Sequence, residues 1–354
     1  MVQFGKRRVG DGQPCFITYE AGPTHSGLES AKRLASLTAE AGADAVKFQV
    51  IDPDRLVADR KQLFTYDVLV DRDSGAMETV SEPLYDILCR RALAKDEWRA
   101  LKRHCDGLGL AFFATVGFED EIELLEELGC DSIKIASADV NHTPLLRRAA
   151  RSGMCLQLDT GNATIGEIEA AVDVIRGEGN ENIIIHHCPS GYPARLESIN
   201  LNVIPTLKRM FPYPVAYSDH TPGWDMDLAA VALGANLVEK TISEDRTTRS
   251  VEHVMSIEPA EKAHFIRVIR DLEIAMGSPR RMMSPAEVEK RNANRRSVHL
   301  LRDLGAGSVL GPGDLDYRRP GKGIPRSEAE RLIGRALRVA KAAGERLDWA
   351  DIEL

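Results

Sequence analysis

The sequence predicts an α/β fold: an eight-stranded (β/α)8 barrel, the TIM barrel, followed by a small C-terminal unit. Short apolar runs rich in β-branched and aromatic residues alternate eight times with helical stretches. The runs lack polar alternation, which indicates strands that are buried on both faces. About 280 residues hold all eight units, a usual size for such a barrel. The predicted strands are Phe16–Glu20, Ala45–Val50, Leu110–Thr115, Ser132–Ser137, Cys155–Asp159, Ile183–Cys188, Val215–Asp219 and Leu237–Ile242.

Helices are predicted between the strands. In the stretch after the first strand, Leu34, Leu37 and Ala41 recur at helical spacing. The predicted helices include Leu28–Ala41, Glu119–Leu128, Ile165–Ile175, Met226–Leu233 and Ala260–Met276. The stretch 52–83 is too long for a simple strand-to-helix connection, so we expect it to form a lid or an interaction arm.

The pattern changes after Met283. Residues 287–296 are charged and lack strand periodicity, as in a linker or a terminal helix. The Gly- and Pro-rich tail has predicted short strands at 296–301, 308–310 and 316–318 and a predicted helix at 327–337. About 60 residues are near the limit of independent stability, so we expect the tail to dock on a partner subunit. The predicted domains are a barrel at 1–284, a linker at 285–294 and a C-terminal domain at 295–354.

Composition narrows the class of protein. The chain has 354 residues and a net charge of −8, which argues against a general nucleic-acid binder with a basic face. No apolar run of about 18 residues predicts a membrane span, and no apolar segment follows the basic N-terminus as in a secretory signal. The six cysteines are scattered without a CxxC pair, which favours a reducing, cytoplasmic location.

Two lysines lie within predicted strands, where an unpaired charge is costly. Lys47 and Lys134 have no carboxylate two positions away on their own strands, so each needs a partner from a neighbouring strand or from a ligand. Two cations at the mouth of a barrel favour an anionic ligand such as a carboxylate or a phosphate. The alternative is a structural Lys–Glu pair inside the barrel.

Other polar residues follow the strands, at the end of the barrel where barrel enzymes carry out chemistry. His220 is a candidate metal ligand or acid/base, although a lone histidine at a strand end is often a hydrogen-bonded core residue. Glu20, Asp139 and Glu252 are candidate bases. Cys188 beside two histidines is a less favoured candidate nucleophile, since no base is recognisably spaced from it.

Several of these segments resemble the sialic acid (N-acetylneuraminate) synthase family. The matching motifs are Glu-Ala-Gly-Pro-Thr-His-Ser-Gly (20–27), Ala-Gly-Ala-Asp-Ala-Val-Lys-Phe-Gln (41–49), Lys-Ile-Ala-Ser (134–137) and Tyr-Ser-Asp-His-Thr (217–221). The tail resembles the antifreeze-like (SAF) domain through Arg-Pro-Gly-Lys-Gly-Ile-Pro (319–325). The motifs occur in order over nearly the whole chain.

The resemblance implies a reaction. Members of the family condense phosphoenolpyruvate with an aldehyde sugar such as N-acetylmannosamine, giving a nine-carbon 2-keto-3-deoxy (nonulosonic) acid and phosphate. A divalent metal, typically manganese, polarises the aldehyde. The members are domain-swapped homodimers in which the antifreeze-like domain caps the partner's barrel, which would explain a tail too small to stand alone.

The resemblance also implies roles for individual residues. Lys47 and Lys134 would hold phosphoenolpyruvate, and His220 would bind the metal. Hydrogen bonds to phosphoenolpyruvate would come from Thr115, Ser137, Ser190 and Ser218. Gln49 and Tyr192 would line the sugar site, whereas protons and substrate hydroxyls would be handled by Glu20, Asp139 and Glu252. Arg319 would reach the partner's site and touch the acyl group of the substrate.

The sequence departs from the family pattern around the metal and the phosphate. Thr241 stands where the family has its second metal-binding histidine, and a single imidazole makes a weak site. Asp159 replaces a serine, and a carboxylate near a phosphate is repulsive unless a cation bridges the two. The chain is therefore a divergent member. Two alternative interpretations of the function remain: a lysine-imine aldolase acting through Lys134 or Lys47, and a non-catalytic sugar-binding paralogue.

Overall fold

The eight apolar runs form the strands of a closed parallel barrel in a computed structural model that describes residues 1–353. Neighbouring strands follow chain order, and the eighth strand pairs with the first, with Val238 opposite Ile17. The predicted (β/α)8 barrel is thus confirmed. In chain order the barrel strands, first to eighth, are Phe16–Glu20, Ala45–Gln49, Ala111–Val116, Ser132–Ile135, Cys155–Asp159, Ile183–His187, Val215–Asp219 and Leu237–Thr241.

Helices connect the barrel strands and bury one face each. The helix Leu28–Ala41 buries Leu34 and Ala35 and ends where Gly42 adopts a left-handed conformation. The helices of this unit are Leu28–Ala41, Pro53–Leu56, Leu84–Cys89, Lys95–Leu108, Glu119–Glu127, Thr143–Arg151, Ile165–Gly177, Leu196–Ile199, Val203–Met210, Asp225–Ala232 and Lys262–Met276, with 3-10 turns at Ser137–Asp139 and His253–Met255. Within residues 1–353, none of the helices has the length and apolar character that crossing a membrane requires.

A hairpin before the first barrel strand packs against the amino end of the barrel. Its strands, Val2–Phe4 and Arg7–Val9, pair antiparallel. Phe4 is fully buried, and its ring lies 4.7 Å from that of Phe16 and 5.2 Å from that of Phe113. The sequence analysis assigned no structure here, because strands of three residues are too short to show a period.

The long connection 52–83 contains an antiparallel hairpin, formed by the strands Leu63–Asp71 and Ala76–Pro83. Tyr66, Val68 and Val80 on one face of the hairpin pack with Ile87 into a small apolar cluster. Arg72 near its tip donates hydrogen bonds to Glu258, including one of 2.6 Å from Nη1 to Oε2. This connection is therefore an ordered arm held against the barrel unit.

The chain divides into two compact units, Met1–Gly277 and a second unit that begins at Ser278. It contains the helix Pro285–Asn294, the antiparallel strands Ser297–Leu300 and Leu315–Arg318, and 3-10 helices at Pro312–Asp314, Arg326–Leu332 and Trp349–Asp351. Buried Val298, Leu310 and Leu332 belong to its separate core. The predicted helix 327–337 is thus shorter and of 3-10 type, because Gly334 is left-handed and Leu337 pairs with Ile352.

The packing of Phe4 gives a test of the amino-terminal hairpin. Replacing Phe4 by alanine leaves a cavity beneath the barrel and should lower the free energy of unfolding by about 3–5 kcal/mol. Urea denaturation measures this change. Leu63→Ala is the control, since Leu63 is 64% exposed and should change stability little. Equal effects of the two substitutions would show that the hairpin does not hold the barrel.

Candidate active site

A pocket of about 180 Å³ opens at the carboxyl ends of the barrel strands. Every strand contributes to it, either directly or through the loop that follows; the fourth and sixth strands contribute only residues beyond their ends. Because parallel strands point the same way, their polar terminal residues meet at this one end of the barrel. The residues lining the pocket are Glu20, Lys47, Gln49, Thr115, Ala136, Ser137, Asp159, Cys188, Tyr192, Asp219, His220, Glu239, Thr241 and Glu252.

Both strand lysines point into the barrel and share one carboxylate, that of Glu239 on the eighth strand. The Nζ of Lys134 lies 2.7 Å from each oxygen of Glu239, and the Nζ of Lys47 lies 2.7 Å from Oε1. All three side chains are at least nine-tenths buried. Glu239 is therefore the bridge that allows two lysines to occupy the centre of the barrel.

Two more carboxylates complete the group. Glu20 forms an ion pair with Lys47, and Asp159 lies 3.1 Å from the Nζ of Lys134. We call Glu20, Lys47, Lys134, Asp159 and Glu239 the lysine–carboxylate cluster. It contains two cationic and three acidic side chains, so both ammonium groups have carboxylate partners before any ligand binds.

The cluster shifts the pKa values of its members. Burial opposes the charge on Lys47, but the carboxylates of Glu20 and Glu239 outweigh it and raise the pKa of Lys47 well above its ordinary value. Burial also opposes the charge on Glu239, yet Lys134 and Lys47 lower its pKa below the ordinary value. For Glu20, burial prevails over Lys47 and raises the pKa. Glu20 thus takes a proton more readily than Glu239 does.

A neutral network of hydrogen bonds lies beneath the cluster. Lys134 contacts Ser218 Oγ at 3.0 Å, and Ser218 in turn lies 2.9 Å from Nδ1 of His186. The other ring nitrogen of His186 lies 2.8 Å from Oε1 of Gln157. Burial and the charge of Lys134 lower the pKa of His186 to about 3, so this histidine is neutral. The network fixes the position of Lys134 from three further strands.

His220 follows the seventh strand and presents one ring nitrogen to the pocket. Its Nδ1 lies 2.9 Å from the carbonyl oxygen of Pro189, and a carbonyl can only accept, so Nδ1 carries the proton. Burial lowers the pKa of His220, so the ring is neutral and Nε2 is an acceptor. The ring of Tyr192 packs against it with centroids 4.7 Å apart.

Thr241 and Glu252 form a pair at the rim. The hydroxyl of Thr241 donates to Oε2 of Glu252 over 3.1 Å, and both side chains are buried. Glu252 has a left-handed backbone with a φ of 71°, which is strained for a residue with a side chain. Burial and the nearby charge of Glu20 raise the pKa of Glu252 to about 8, so it is mostly protonated at neutral pH.

The structure places most of the predicted site residues together. Those that line the pocket are Glu20, Lys47, Gln49, Thr115, Ser137, Tyr192, His220 and Glu252. Lys134 belongs to the cluster beneath the pocket, where Ser218 contacts it. Asp139 and Ser190 lie outside the pocket lining; the Ser190 hydroxyl donates to Gly161 O at 3.1 Å. Arg319 is an exposed residue of the second unit.

Sequence reasoning missed the role of Glu239. The available signal was the requirement that each strand lysine have a partner on another strand, because Glu239 is an acidic residue within a predicted strand. Its neighbour Lys240 points to the opposite side, where it pairs with buried Asp219 and contacts Thr221 O. This second pair anchors the segment that presents His220.

The donor set does not fit the divalent metal centre that the resemblance implies. Within residues 1–353, no three His, Cys, Asp or Glu side chains are grouped to hold a metal. Only one imidazole, His220, lines the pocket, and Thr241 uses its hydroxyl on Glu252. The oxygens of Asp159 face Lys134 and Ser218. The pocket therefore offers one free ring nitrogen where a pair is expected.

Comparison with known proteins identifies the family. Residues 34–281 match the NeuB family, and residues 295–353 match the SAF domain. The chain belongs to the NeuB family. It is 34% identical to the N,N'-diacetyllegionaminic acid synthase of Legionella pneumophila, over 99% of this chain and 98% of the relative. It is 31% identical to the human N-acetylneuraminate-9-phosphate synthase, over 94% and 91% of the two chains.

A solved structure agrees with this assignment. The N-acetylneuraminic acid synthetase of Leptospira borgpetersenii, solved in complex with citrate, superposes with a TM-score of 0.71 at 30% identity. The match covers 82% of this chain and 94% of that one. The NeuB-family chain is therefore an enzyme of the sialic acid synthase-like class, a barrel with a C-terminal SAF domain.

The bridging role of Glu239 can be tested by Glu239→Gln. The amide keeps the shape but leaves two buried lysines short of a partner, so the free energy of unfolding should fall by about 3–5 kcal/mol at neutral pH. A carboxyl whose folded pKa is lowered stabilises above its unfolded pKa and loses that contribution as pH falls. The free energy of unfolding of the wild type should therefore fall as the pH drops below 4.5, the ordinary pKa of a glutamate. The variant should lack this contribution to the fall.

Urea denaturation from pH 7 to pH 3 measures both effects. Glu169→Gln is the matched control, since Glu169 is exposed on the helix Ile165–Gly177. A Glu239→Gln variant as stable as this control would show that the lysines do not depend on the bridge.

Proposed function

We propose that the enzyme condenses phosphoenolpyruvate with an aldehyde sugar, giving a 2-keto-3-deoxy nonulosonic-type acid and phosphate. The observation that carries the proposal is the meeting of two lysines on Glu239 at the carboxyl end of the barrel: Lys47 lines the pocket, and Lys134 lies buried beneath it. Two fixed ammonium groups suit a ligand that carries both a carboxylate and a phosphate. The names of the relatives, synthases of legionaminic and neuraminic acids, support the same class of product.

Binding of the donor exchanges one set of anions for another. Lys47 and Lys134 already contact carboxylates, so the donor's charges compete with Glu20 and Asp159 for the ammonium groups. Glu20 can give way by taking a proton, since burial raises its pKa. Hydroxyls of Ser218, Ser137 and Thr115 would add hydrogen bonds to the bound anion, in agreement with their predicted role.

The chemistry needs a nucleophilic carbon, an electrophilic carbonyl and a water molecule. C3 of the enolpyruvate attacks the aldehyde carbon, which leaves a positive charge on C2 and forms the new C–C bond. Water then adds to C2, and the resulting adduct loses phosphate to give the 2-keto acid. The fixed carboxylates beside the two lysines stabilise the positive charge that develops at C2.

The charge state of the lysines argues against an imine mechanism. An imine-forming lysine must lose its proton, whereas the carboxylates around Lys47 raise its pKa well above the ordinary value. The Nζ of Lys134 makes contacts of 2.7 Å to both oxygens of Glu239. Neither amine is presented to a substrate as a free nucleophile.

We also propose a domain-swapped homodimer, in which the SAF domain of one copy acts at the barrel of the other. Residue charges support this arrangement. Residues 1–277 contain 30 Lys and Arg against 43 Asp and Glu, whereas residues 278–354 contain 16 against 11. An acidic barrel and a basic tail attract each other. Arg319 is the tail residue that would contact the substrate's acyl group.

A cytoplasmic location completes the proposal. The cysteines of the chain, six in all, are free thiols, and five of them are buried. A reducing compartment keeps such thiols free. Phosphoenolpyruvate is also a cytoplasmic metabolite of central carbon chemistry.

Phosphate release from phosphoenolpyruvate tests the reaction. The assay uses N-acetylmannosamine, its 2,4-diacetamido relatives and non-acetylated sugars, each with and without manganese. At least one acceptor should give release in wild type, and Lys134→Ala should lower kcat/KM by about 100-fold or more because an anion contact is lost. Lys95→Ala, a change at an exposed helix residue, is the control.

Two results would contradict the reaction. One is an absence of phosphate release with every acceptor from folded protein. The other is full activity of Lys134→Ala. Trapping with borohydride in the presence of pyruvate should give no covalent adduct, and an adduct on either lysine would favour the aldolase.

Mixing two inactive variants tests the swapped arrangement. Lys134→Ala disables the barrel and Arg319→Ala disables the tail, so each homodimer should be inactive. If the tail acts in the partner's barrel, a mixed dimer holds one intact site, and random exchange should restore about a quarter of wild-type activity. Gel filtration with light scattering gives the oligomeric state. No restoration from verified mixed dimers would place Arg319 at its own barrel or outside the site.

A further inference from the structure

The acceptor's carbonyl needs a polarising group, and the pocket restricts which side chain can supply it. The ammonium groups of Lys47 and Lys134 are occupied by the carboxylates of the lysine–carboxylate cluster. His220 donates its only proton to the carbonyl oxygen of Pro189, so its Nε2 can accept but not donate. Thr241 donates its hydroxyl to Glu252.

Glu252 differs from these groups because its second carboxyl oxygen, Oε1, makes no hydrogen bond with the described residues. Its Oε2 accepts the hydrogen bond from Thr241, and its side chain lines the pocket. A protonated carboxyl in this arrangement can direct its O–H into the pocket from Oε1. The carboxyl is thus placed as a hydrogen-bond donor beside the position where the resemblance puts the second metal-binding imidazole.

The surrounding structure holds Glu252 in place. Its left-handed backbone, with a φ of 71°, directly precedes the 3-10 turn His253–Met255, whose three residues are buried. Arg91 ties the preceding loop down, since its Nη2 donates to Ser250 Oγ over 2.6 Å. A strained conformation that is anchored on both sides is typical of a preorganised functional residue.

Resting on the proposed function, we propose that the Glu252 carboxyl, oriented by Thr241, takes the place of the divalent metal and polarises and protonates the acceptor's aldehyde oxygen. This assignment explains the replacement of an imidazole by a threonine. The threonine hydroxyl orients a carboxyl, whereas an imidazole at this position would compete for a metal or for the proton.

The step balances in atoms and charge. As C3 of the enolpyruvate forms its bond to the aldehyde carbon, the C=O π electrons move to the aldehyde oxygen. That oxygen takes the proton of Glu252 and becomes a hydroxyl, and Glu252 is left as a carboxylate. Water that adds to C2 releases a proton, which returns Glu252 to its acid form. The C2–O bond to phosphate then breaks with its electron pair going to phosphate, the C2 hydroxyl gives its proton to the leaving phosphate, and its oxygen becomes the keto oxygen.

The charges that face Glu252 favour its acid form. Glu20 and Glu239 repel a carboxylate at this point, and Lys47 and Arg91 attract one. The phenol of Tyr192 also interacts electrostatically with Glu252. Burial is the largest influence, and the pKa of about 8 that results lets Glu252 donate a proton at neutral pH. The rate should therefore fall as pH rises through about 8, where the acid form is lost.

Manganese binding tests the absence of a metal requirement without any assay of activity. Protein treated with a chelating resin is titrated with Mn²⁺ in the presence of phosphoenolpyruvate, and free Mn²⁺ is followed by electron paramagnetic resonance. Wild type should bind no more Mn²⁺ than His220→Ala, whereas Thr241→His, with a second imidazole, should bind about one equivalent more. One equivalent bound by wild type and lost in His220→Ala would overturn the proposal.

The catalytic part is tested with Glu252→Gln, which keeps the size and a hydrogen-bond donor but has no proton to transfer. It should lower kcat by about 10²–10⁴-fold with little change in the KM for phosphoenolpyruvate, and the decline above pH 8 should disappear. Glu169→Gln, on an exposed helix, should match wild type. Full activity of Glu252→Gln, or phosphate release by wild type only when manganese is added, would overturn the proposal. Failure of the proposed function is a different result, namely no release by wild type under any condition.

Discussion

One carboxylate, that of Glu239, allows the centre of this barrel to hold two ammonium groups. Its two oxygens are shared between Lys47 and Lys134, so three strands that are not all neighbours are tied by one buried side chain. Without it, each lysine would keep a single carboxylate, Glu20 for Lys47 and Asp159 for Lys134, to offset its desolvation. The same lysines are the groups best placed to hold an anion. Stability and ligand binding therefore depend on one cluster, and the chain cannot lose the anion site without weakening the barrel.

The lysine–carboxylate cluster determines how an anionic donor could bind. The cluster arranges its lysines in advance by ion pairs and by contacts with Ser218, so little side-chain freedom remains to be lost on binding. At the same time, the two ammonium groups already form ion pairs with three carboxylates. Glu239 is held ionised by Lys134 and Lys47, whereas burial raises the pKa of Glu20. Under the proposed function, Glu20 rather than Glu239 would adjust to the incoming donor, and donor binding would be coupled to uptake of a proton.

The sequence predicted the barrel well because the strands are short, mostly apolar runs without regular polar alternation, and it showed that two strand lysines needed partners. It could not name the partner. Glu239 lies 192 residues from Lys47 and 105 from Lys134, and only closure of the barrel brings them together. Local patterns failed for a similar reason at the amino-terminal hairpin, whose three-residue strands are defined by the packing of Phe4 against the barrel. The predicted roles of Asp139 and Ser190 rest on strand-end position and on the family resemblance, and neither determines where a loop directs its side chains.

The departures from the family pattern occur where the fold can accept them. Changing Lys47, Lys134 or Glu239 would leave buried charges in the middle of the barrel short of a partner, and such changes are costly. Thr241 is the last residue of its strand, and its side-chain hydroxyl donates to Glu252 on a separate loop. Replacing an imidazole by a hydroxyl there unpairs no buried charge. Under the proposed function, the groups that would hold the anion are thus constrained by stability, whereas the groups that would act on the acceptor are less constrained. A change in how the carbonyl is activated, with the donor kept, is the divergence that this distribution of constraints favours.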